Sequence, residues 1–223
     1  MNAAGSDALI AAVLGAGRVG TAIARALRDA GYRVTISASG DPARLASIAR
    51  IIVPGVEPMW AGDAIARADV VVLSIPLHRA TALQADAFAG KIVIDAMNYW
   101  PPVDGVIQAF EHAPRGTSGA VQDLLPGAQV VKTFNHTGYH DLEPDRRPPG
   151  HPERLALAVA GDSTRAVRAV SEIVHRVGYD PVPLFGVDRG RALQPGGDVF
   201  GARLNAERMV AALQPERGDA QAA

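Results

Sequence analysis

Leu9-Ile10-Ala11-Ala12-Val13-Leu14-Gly15-Ala16-Gly17-Arg18-Val19-Gly20 decides the fold. An apolar run of a strand's length ends in Gly15, Gly17 and Gly20. A helical pattern then begins, in which Val19, Ala22, Ile23, Ala26 and Leu27 recur at the spacing of one buried face. Gly31 closes that helix, and Arg33 to Ser37 is extended again. The pattern G-x-G-x-x-G between a strand and a helix has a physical reason at each glycine. Gly15 permits the tight turn, Gly17 lets backbone amides approach a pyrophosphate, and Gly20 lets the helix lie close on the strand. The helix amino terminus adds partial positive charge, so the unit points to a bound dinucleotide.

Working outward, the alternation continues. Asp41-Pro42 supplies an N-cap and a first-turn proline for a helix to about Ile52. A short extended piece, Val56 to Trp60, and a brief helix, Asp63 to Arg67, lead to the strand Val70 to Ser74. The pattern predicts a helix over about His78 to Phe88, a strand from Lys91 to Asp95, and a loop at Asn98-Tyr99-Trp100-Pro101-Pro102. Thr117 or Ser118 caps a further helix ending at Pro126-Gly127, and Val130 to Phe134 is a strand. Asp145 to Pro152 reads as an exposed loop. Leu155 to Val159 is a strand. Asp162, Ser163 and Thr164 cap a helix that buries Val167, Val170, Ile173, Val174 and Val177, and Val182 to Phe185 is the last strand. A glycine-rich loop from Gly190 to Gly201 and a short helix from Asn205 complete the chain. Strands alternating with helices imply an α/β fold, a doubly wound and mostly parallel sheet of the Rossmann type, with a short C-terminal helical extension. The expected organisation is one domain over residues 1–215 and a disordered tail over 216–223.

Composition agrees. The chain has 223 residues, enough for one domain, and with 48% hydrophobic and 20% charged residues it can bury a core. Only 5% are aromatic, so that core is aliphatic. A net charge of -1 gives no field for nucleic acid or an anionic membrane. The lack of cysteine removes disulfides, thiolate nucleophiles and cysteine-held metals, so redox work needs a diffusible cofactor. The amino terminus lacks the basic residues of a secretion signal, and no apolar run reaches the roughly 20 residues of a membrane span, so a cytoplasmic protein is expected.

The end of the second strand bears on NADP against NAD, because NAD binders place an acid there for the ribose 2′-hydroxyl. Here it reads Ser37-Ala38-Ser39-Gly40-Asp41, with Arg44 one turn into the next helix and Arg18 nearby. This favours NADP, while Asp41 keeps NAD open. The nicotinamide should approach Ser74-Ile75-Pro76, Ala96-Met97-Asn98 and Asn135-His136-Thr137, all at strand ends. None of these resembles a nucleophile and base pair, so no catalytic side chain is assigned. His136 and His140 read as a polar pocket rim and not as a metal site. Lys132 reads as a strand residue that either reaches a substrate or snorkels to water, and the second reading is favoured. With no clear proton donor, the pattern leans to hydride exchange between two redox cofactors.

The chain resembles the coenzyme F420-dependent NADP oxidoreductases in VLGAGRVGTAIARAL, LSIPLHRA, IVIDAMNYWPP, VVKTFNHTG and LAVAGDSTRAVRAVSEIVHRVGYDPV. The resemblance implies a compact Rossmann protein that passes a hydride directly between nicotinamide and the deazaflavin coenzyme F420. It implies NADP held by Gly15, Ala16, Gly17, Arg18, Val19 and Gly20, with the 2′-phosphate at Ser39, Gly40 and Arg44. It places the nicotinamide near Ser74, Ile75, Pro76, Asn98, Asn135 and Thr137. Family members often carry Ser-Arg-Arg where this chain has Ser39-Gly40-Asp41. The anionic tail of the deazaflavin could meet Arg146, Arg147 and His151, and a homodimer joined through the carboxyl-terminal segment is expected. Two other readings keep the nucleotide site: a reductase of a small carbonyl, imine or metal chelate, and a non-catalytic NADP(H) sensor. A cleft lined by Trp100, Tyr139 and Leu193 favours a planar acceptor, whereas its occlusion by Pro195-Gly196-Gly197 favours the sensor.

Overall fold

A computed structural model describes residues 8–214. The proposed tail over 216–223 lies outside them. The chain opens with β1 (Ile10–Leu14), α1 (Arg18–Asp29), β2 (Arg33–Ser37), α2 (Pro42–Ile52), the short β3 (Glu57–Pro58) and α3 (Ala61–Arg67). Next come β4 (Val70–Leu73), β5 (Ile92–Asp95), two one-turn helices α4 (Pro101–Asp104) and α5 (Gln108–Glu111), α6 (Gly116–Leu124) and β6 (Gln129–Lys132). The last part comprises β7 (Ala156–Gly161), α7 (Thr164–Val177), β8 (Asp180–Phe185) and α8 (Ala206–Ala212). All eight strands form one sheet in the order β3-β2-β1-β4-β5-β6-β7-β8. Only β7 against β6 is antiparallel. The expected doubly wound, mostly parallel α/β sheet is therefore present.

Two aliphatic layers cover the sheet. On one face α1, α2 and α7 bury Ile23, Leu27, Val167, Val170 and Val174 against Val13, Ile36, Val72 and Val159. On the other, α3 and α6 bury Ile65 and Val121 against Leu14, Val71 and Val93, and α8 closes over β7 and β8 with Met209. Val19, expected on the buried face of α1, is exposed, because the stripe begins one turn later at Ala22 and Ile23.

Two local expectations fail for physical reasons. Residues 77–88 are not an α-helix but two 3₁₀ turns, Leu77–Ala82 and Ala85–Phe88. Leu77, Ala80 and Leu83 repeat every third residue, which matches the three-residue turn of a 3₁₀ helix and not the 3.6-residue period. Neither Thr117 nor Ser118 caps α6. The helix starts earlier, at Gly116, and the Thr117 N–H donates 3.2 Å to Oε1 of Gln194, a cap supplied from a distant loop. By contrast Asp41, Ser163 and Asn205 each cap the helix that follows them, accepting from Ala43, Ala166 and Arg208 respectively.

Candidate dinucleotide site at the strand ends

The register sets Ser37, Leu14, Leu73, Asp95 and Lys132 side by side at the carboxyl ends of β2, β1, β4, β5 and β6. Four strand spacings of about 4.8 Å make a row roughly 19 Å long. The strand order reverses direction on either side of β1, between β2 and β4, which is where doubly wound sheets open a crevice for ligand.

Each glycine of the turn has a distinct geometric role. Gly15 sits at φ 116°, and a Cβ there would lie 2.4 Å from the Ser74 carbonyl oxygen. A Cβ on Gly20 would lie 1.9 Å from the Gly15 carbonyl oxygen, so α1 packs on the turn at backbone contact. Gly17, the N-cap of α1, faces open space with nothing within 4 Å of its missing Cβ. That free approach to the helix amino terminus suits a pyrophosphate. Ser74 serves the turn itself. Its hydroxyl donates 3.0 Å to Leu14 O and 3.3 Å to Gly15 O, locking the turn. Ile75 and Pro76 follow it, half-buried and exposed. Sequence reading missed Thr21, whose hydroxyl donates 2.9 Å back to Gly17 O; a threonine in the first turn of a helix was the available signal.

Ala16 is half-buried, and Arg18 and Val19 are exposed at the start of α1. Arg18 Nη1 donates 3.2 Å to the Tyr139 hydroxyl, and its guanidinium carbon lies 5.8 Å from that ring's centre. Beyond β2, Ser39, Gly40 and Arg44 are all exposed. The Asp41 carboxylate is engaged by its own helix, accepting 2.9 Å from the Ala43 N–H.

At the other end of the row, Asn98 Nδ2 donates 2.8 Å to Asn135 O, and Asn135 Nδ2 donates 2.9 Å to Asn98 Oδ1 and 2.5 Å to Leu193 O. The structure brings this pair together, with Thr137 half-buried two residues on. His136 is not on a rim. It is buried, its Nε2 accepts 3.1 Å from the Ala158 N–H, and Nδ1 therefore carries the proton toward Asn135 Oδ1 at 3.3 Å. Burial, then the nearby Lys132 charge, pushes its pKa down to about 3, so the ring is neutral. His140 sits apart on the surface, 3.2 Å from Asp141.

Lys132 does not reach water either. It is fully buried, 3.3 Å from Asp95 Oδ2 and bonded to Met97 O, while Ser118 Oγ donates 2.5 Å to the same Asp95 oxygen. Burial draws the lysine below its ordinary pKa, and Asp95 opposes that shift. A strand lysine snorkels only where solvent is near. Here α6 and the 3₁₀ turn Val187–Leu193 cover the strand end, and a Cβ on Gly190 would lie 3.2 Å from Lys132 Cβ.

Two further expectations need correction. Arg146 pairs with Asp29 at 3.0 Å, at the opposite end of α1 from Gly17, and Arg147 donates to Pro144 O and Arg146 O. Eleven helical residues put that loop about 16 Å from the glycine turn, and both guanidinium groups are engaged by neighbouring groups there. Nor does Leu193 line a cleft with Trp100 and Tyr139: it is fully buried, Trp100 tilts on Phe200 at 6.5 Å, and Tyr139 lies on Arg18. A cleft of about 540 Å³ opens instead between Tyr99, Pro101, Phe110, Thr117, Arg191 and Gln194. It adjoins Asn98 through Tyr99, and the 3₁₀ turn that ends at Leu193 through Arg191 and Gln194.

Sheet order, glycine turn and open strand ends define a Rossmann-type α/β fold. The family model described as NADP oxidoreductase, coenzyme F420-dependent, matches residues 10–99, from β1 into the loop after β5. A solved structure from Arthrobacter sp. FB24, provisionally described as an F420-dependent NADP-reductase, is 27% identical with a TM-score of 0.71, over 87% of this chain and 96% of that one. A hypothetical protein from Sinorhizobium meliloti is 27% identical with a TM-score of 0.69, over 88% of this chain and 94% of its own. The 3-hydroxyisobutyrate dehydrogenase of Mycobacterium tuberculosis shares the fold, at 18% identity and a TM-score of 0.57 over 83% of this chain and 58% of that one. No curated protein sequence matches the chain. The resemblance read from the sequence is borne out. Among the described residues no helix is long and apolar enough to cross a membrane.

Proposed function

We propose that the protein transfers a hydride between NADP(H) and a deazaflavin coenzyme of the F420 type, or a similar flavin-like acceptor, within one dinucleotide-binding domain. The observation that carries the dinucleotide is the open approach at Gly17, flanked by two glycines that admit no side chain. The amides at the start of α1 and the Arg18 guanidinium would hold the pyrophosphate. Ser39, Gly40 and Arg44 would hold the 2′-phosphate. The capping of Ala43 by Asp41 supports NADP over NAD, because it turns one carboxylate oxygen toward α2. Asn98, Asn135, Thr137 and the Ser74-Ile75-Pro76 strand end would border the nicotinamide.

Bound NADPH supplies the hydride. The chain contributes orientation and exclusion of water, and the Lys132, His136 and Tyr99 side chains near the strand ends are already engaged elsewhere. Lys132 is buried in its ion pair, and His136 Nε2 is already an acceptor from the Ala158 amide. The Tyr99 hydroxyl is committed to Glu111 at 2.5 Å, which raises its pKa. Carbonyl reduction needs a positioned proton donor, whereas ring-to-ring hydride exchange needs geometry, and this contrast favours a redox cofactor as acceptor. The cleft beside Tyr99 offers the acceptor room and weighs against a pure sensor.

The test is anaerobic mixing of the protein with NADPH, then NADH, in the presence of oxidised coenzyme F420. Loss of deazaflavin absorbance with NADPH is expected, and slower loss with NADH. Tight NADPH binding without bleaching would overturn the acceptor and leave the dinucleotide site.

A further inference from the structure

Among the described residues, one ion pair joins side chains that are both fully enclosed, Lys132 with Asp95; it has no part in dinucleotide binding as described above, and stability does not account for it. Replacing a buried pair by apolar groups of similar volume is often neutral or stabilising, so its retention calls for another role. Its contacts indicate one. Asp95 Oδ1 accepts 3.0 Å from the Met97 N–H, and Lys132 Nζ donates to the Met97 carbonyl oxygen. Both backbone groups of Met97 are thus held by the pair. The next residue is Asn98, which is joined by two hydrogen bonds to Asn135.

The same strand end is anchored twice. Lys132 fixes β6 at one point and Asn135, through Leu193 O and Asn98, fixes it three residues later. Between the anchors Phe134 sits at φ 63°, the one non-glycine residue at positive φ among those described. A bulky side chain in that region is strained, and such strain persists only where the surroundings over-determine the backbone. Thr133 Oγ1, also between the anchors, is buried without a partner. Two unfavourable features in consecutive residues mark a place where shape has been kept at a cost to stability.

Resting on the proposed hydride transfer, we infer that Lys132 and Asp95 are positioning residues. They hold the ends of β5 and β6 in one strained arrangement, and so fix Asn98 and Asn135 beside the reacting ring. Ser118, reaching Asp95 from α6, completes the clamp. Neither charge touches the ligand. Their effect falls on ring placement, and a misplacement of about 1 Å costs on the order of 100-fold in rate.

The test uses the double variant Lys132→Met/Asp95→Asn, which keeps side-chain volume, removes both charges, and leaves an amide able to accept from the Met97 N–H. The milder variant Ser118→Ala serves as a second probe. Three quantities are read: NADPH Kd by fluorescence titration, the single-turnover rate of hydride transfer from NADPH to oxidised coenzyme F420, and amide hydrogen exchange. The double variant should lose ten- to a hundred-fold in transfer rate with Kd within three-fold of wild type. Exchange should rise at least ten-fold at Met97 and Asn98 and stay unchanged in α7. Ser118→Ala should lose three- to ten-fold in rate, with the same constancy of Kd. A transfer rate within two-fold of wild type, or a Kd that weakens as much as the rate falls, overturns the inference. Wild-type protein that binds no NADPH refutes the functional reading itself, and the inference with it.

Discussion

Gly17 and Gly20, three residues apart in one turn, should respond in opposite ways to the same added methyl group. At Gly20 the new Cβ would sit 1.9 Å from the Gly15 carbonyl oxygen and 2.6 Å from Ser74 Oγ, where real Cβ contacts do not fall below 3.0 Å. The obstacle is backbone, so α1 must retreat by about 1 Å from β1, opening the packing of Ala22, Ile23 and Leu27. Overpacking of this kind costs ~3 kcal/mol, the upper part of the usual range, since no flexible side chain can yield. For a chain of this length that lowers Tm by about 6–12 °C. At Gly17 the backbone is extended (φ −79°, ψ −171°) and nothing lies within 4 Å, so Gly17→Ala fits. Its weaker N-cap offsets the entropy gained by restricting the unfolded chain, leaving Tm within about 3 °C. The methyl stands where a pyrophosphate must meet the amides of α1. Losing one or two charge-assisted hydrogen bonds, about 2–3 kcal/mol, weakens NADPH roughly 30- to 150-fold. Thermal unfolding and fluorescence titration on both variants give the four numbers. Gly17→Ala with wild-type affinity for NADPH, or Gly20→Ala with a wild-type Tm, would refute the assignment of roles within the turn.

Other outcomes follow from single contacts. His136 has a folded pKa of about 3 against 6.5 unfolded. The unfolded chain therefore binds more protons between those values, and the contribution is whole above pH 6.5 and lost as pH falls. The slope is about 1.4 kcal/mol per pH unit, or ~3 kcal/mol by pH 4.5. Urea denaturation from pH 7.5 to 4.5 should show this excess slope in wild type relative to His136→Gln, which keeps an acceptor for the Ala158 amide; parallel curves would contradict it. Arg44→Ala should weaken NADPH by on the order of ten-fold and leave NADH unchanged, an effect that fades at high salt. Equal losses for both nucleotides would remove Arg44 from the 2′-phosphate.

Much of the fold was legible because it depends on local chemistry. The turn at Gly15, Gly17 and Gly20 requires those residues wherever the rest of the chain goes. Asp41, Ser163 and Asn205 cap helices using amides two or three residues away. The unbroken runs of β1 and β4 are apolar because both faces of a parallel strand are covered. The family resemblance, too, was carried by contiguous motifs, and residues 10–99 match the family's model.

Sequence alone thus determined the strand and helix alternation, the glycine turn and the family resemblance. Tertiary structure decided what the polar residues at the strand ends do, because their partners are far away along the chain. Lys132 read as a snorkelling side chain until α6 and the turn at Gly190 enclosed it with Asp95, 37 residues earlier. His136 read as a rim residue until its ring met the Ala158 amide across the antiparallel strand. Arg146 read as free for a ligand until Asp29 claimed it, 117 residues away. Backbone conformation and capping are settled by neighbours within a few residues, whereas burial of a charge or a ring depends on which distant surfaces close over it.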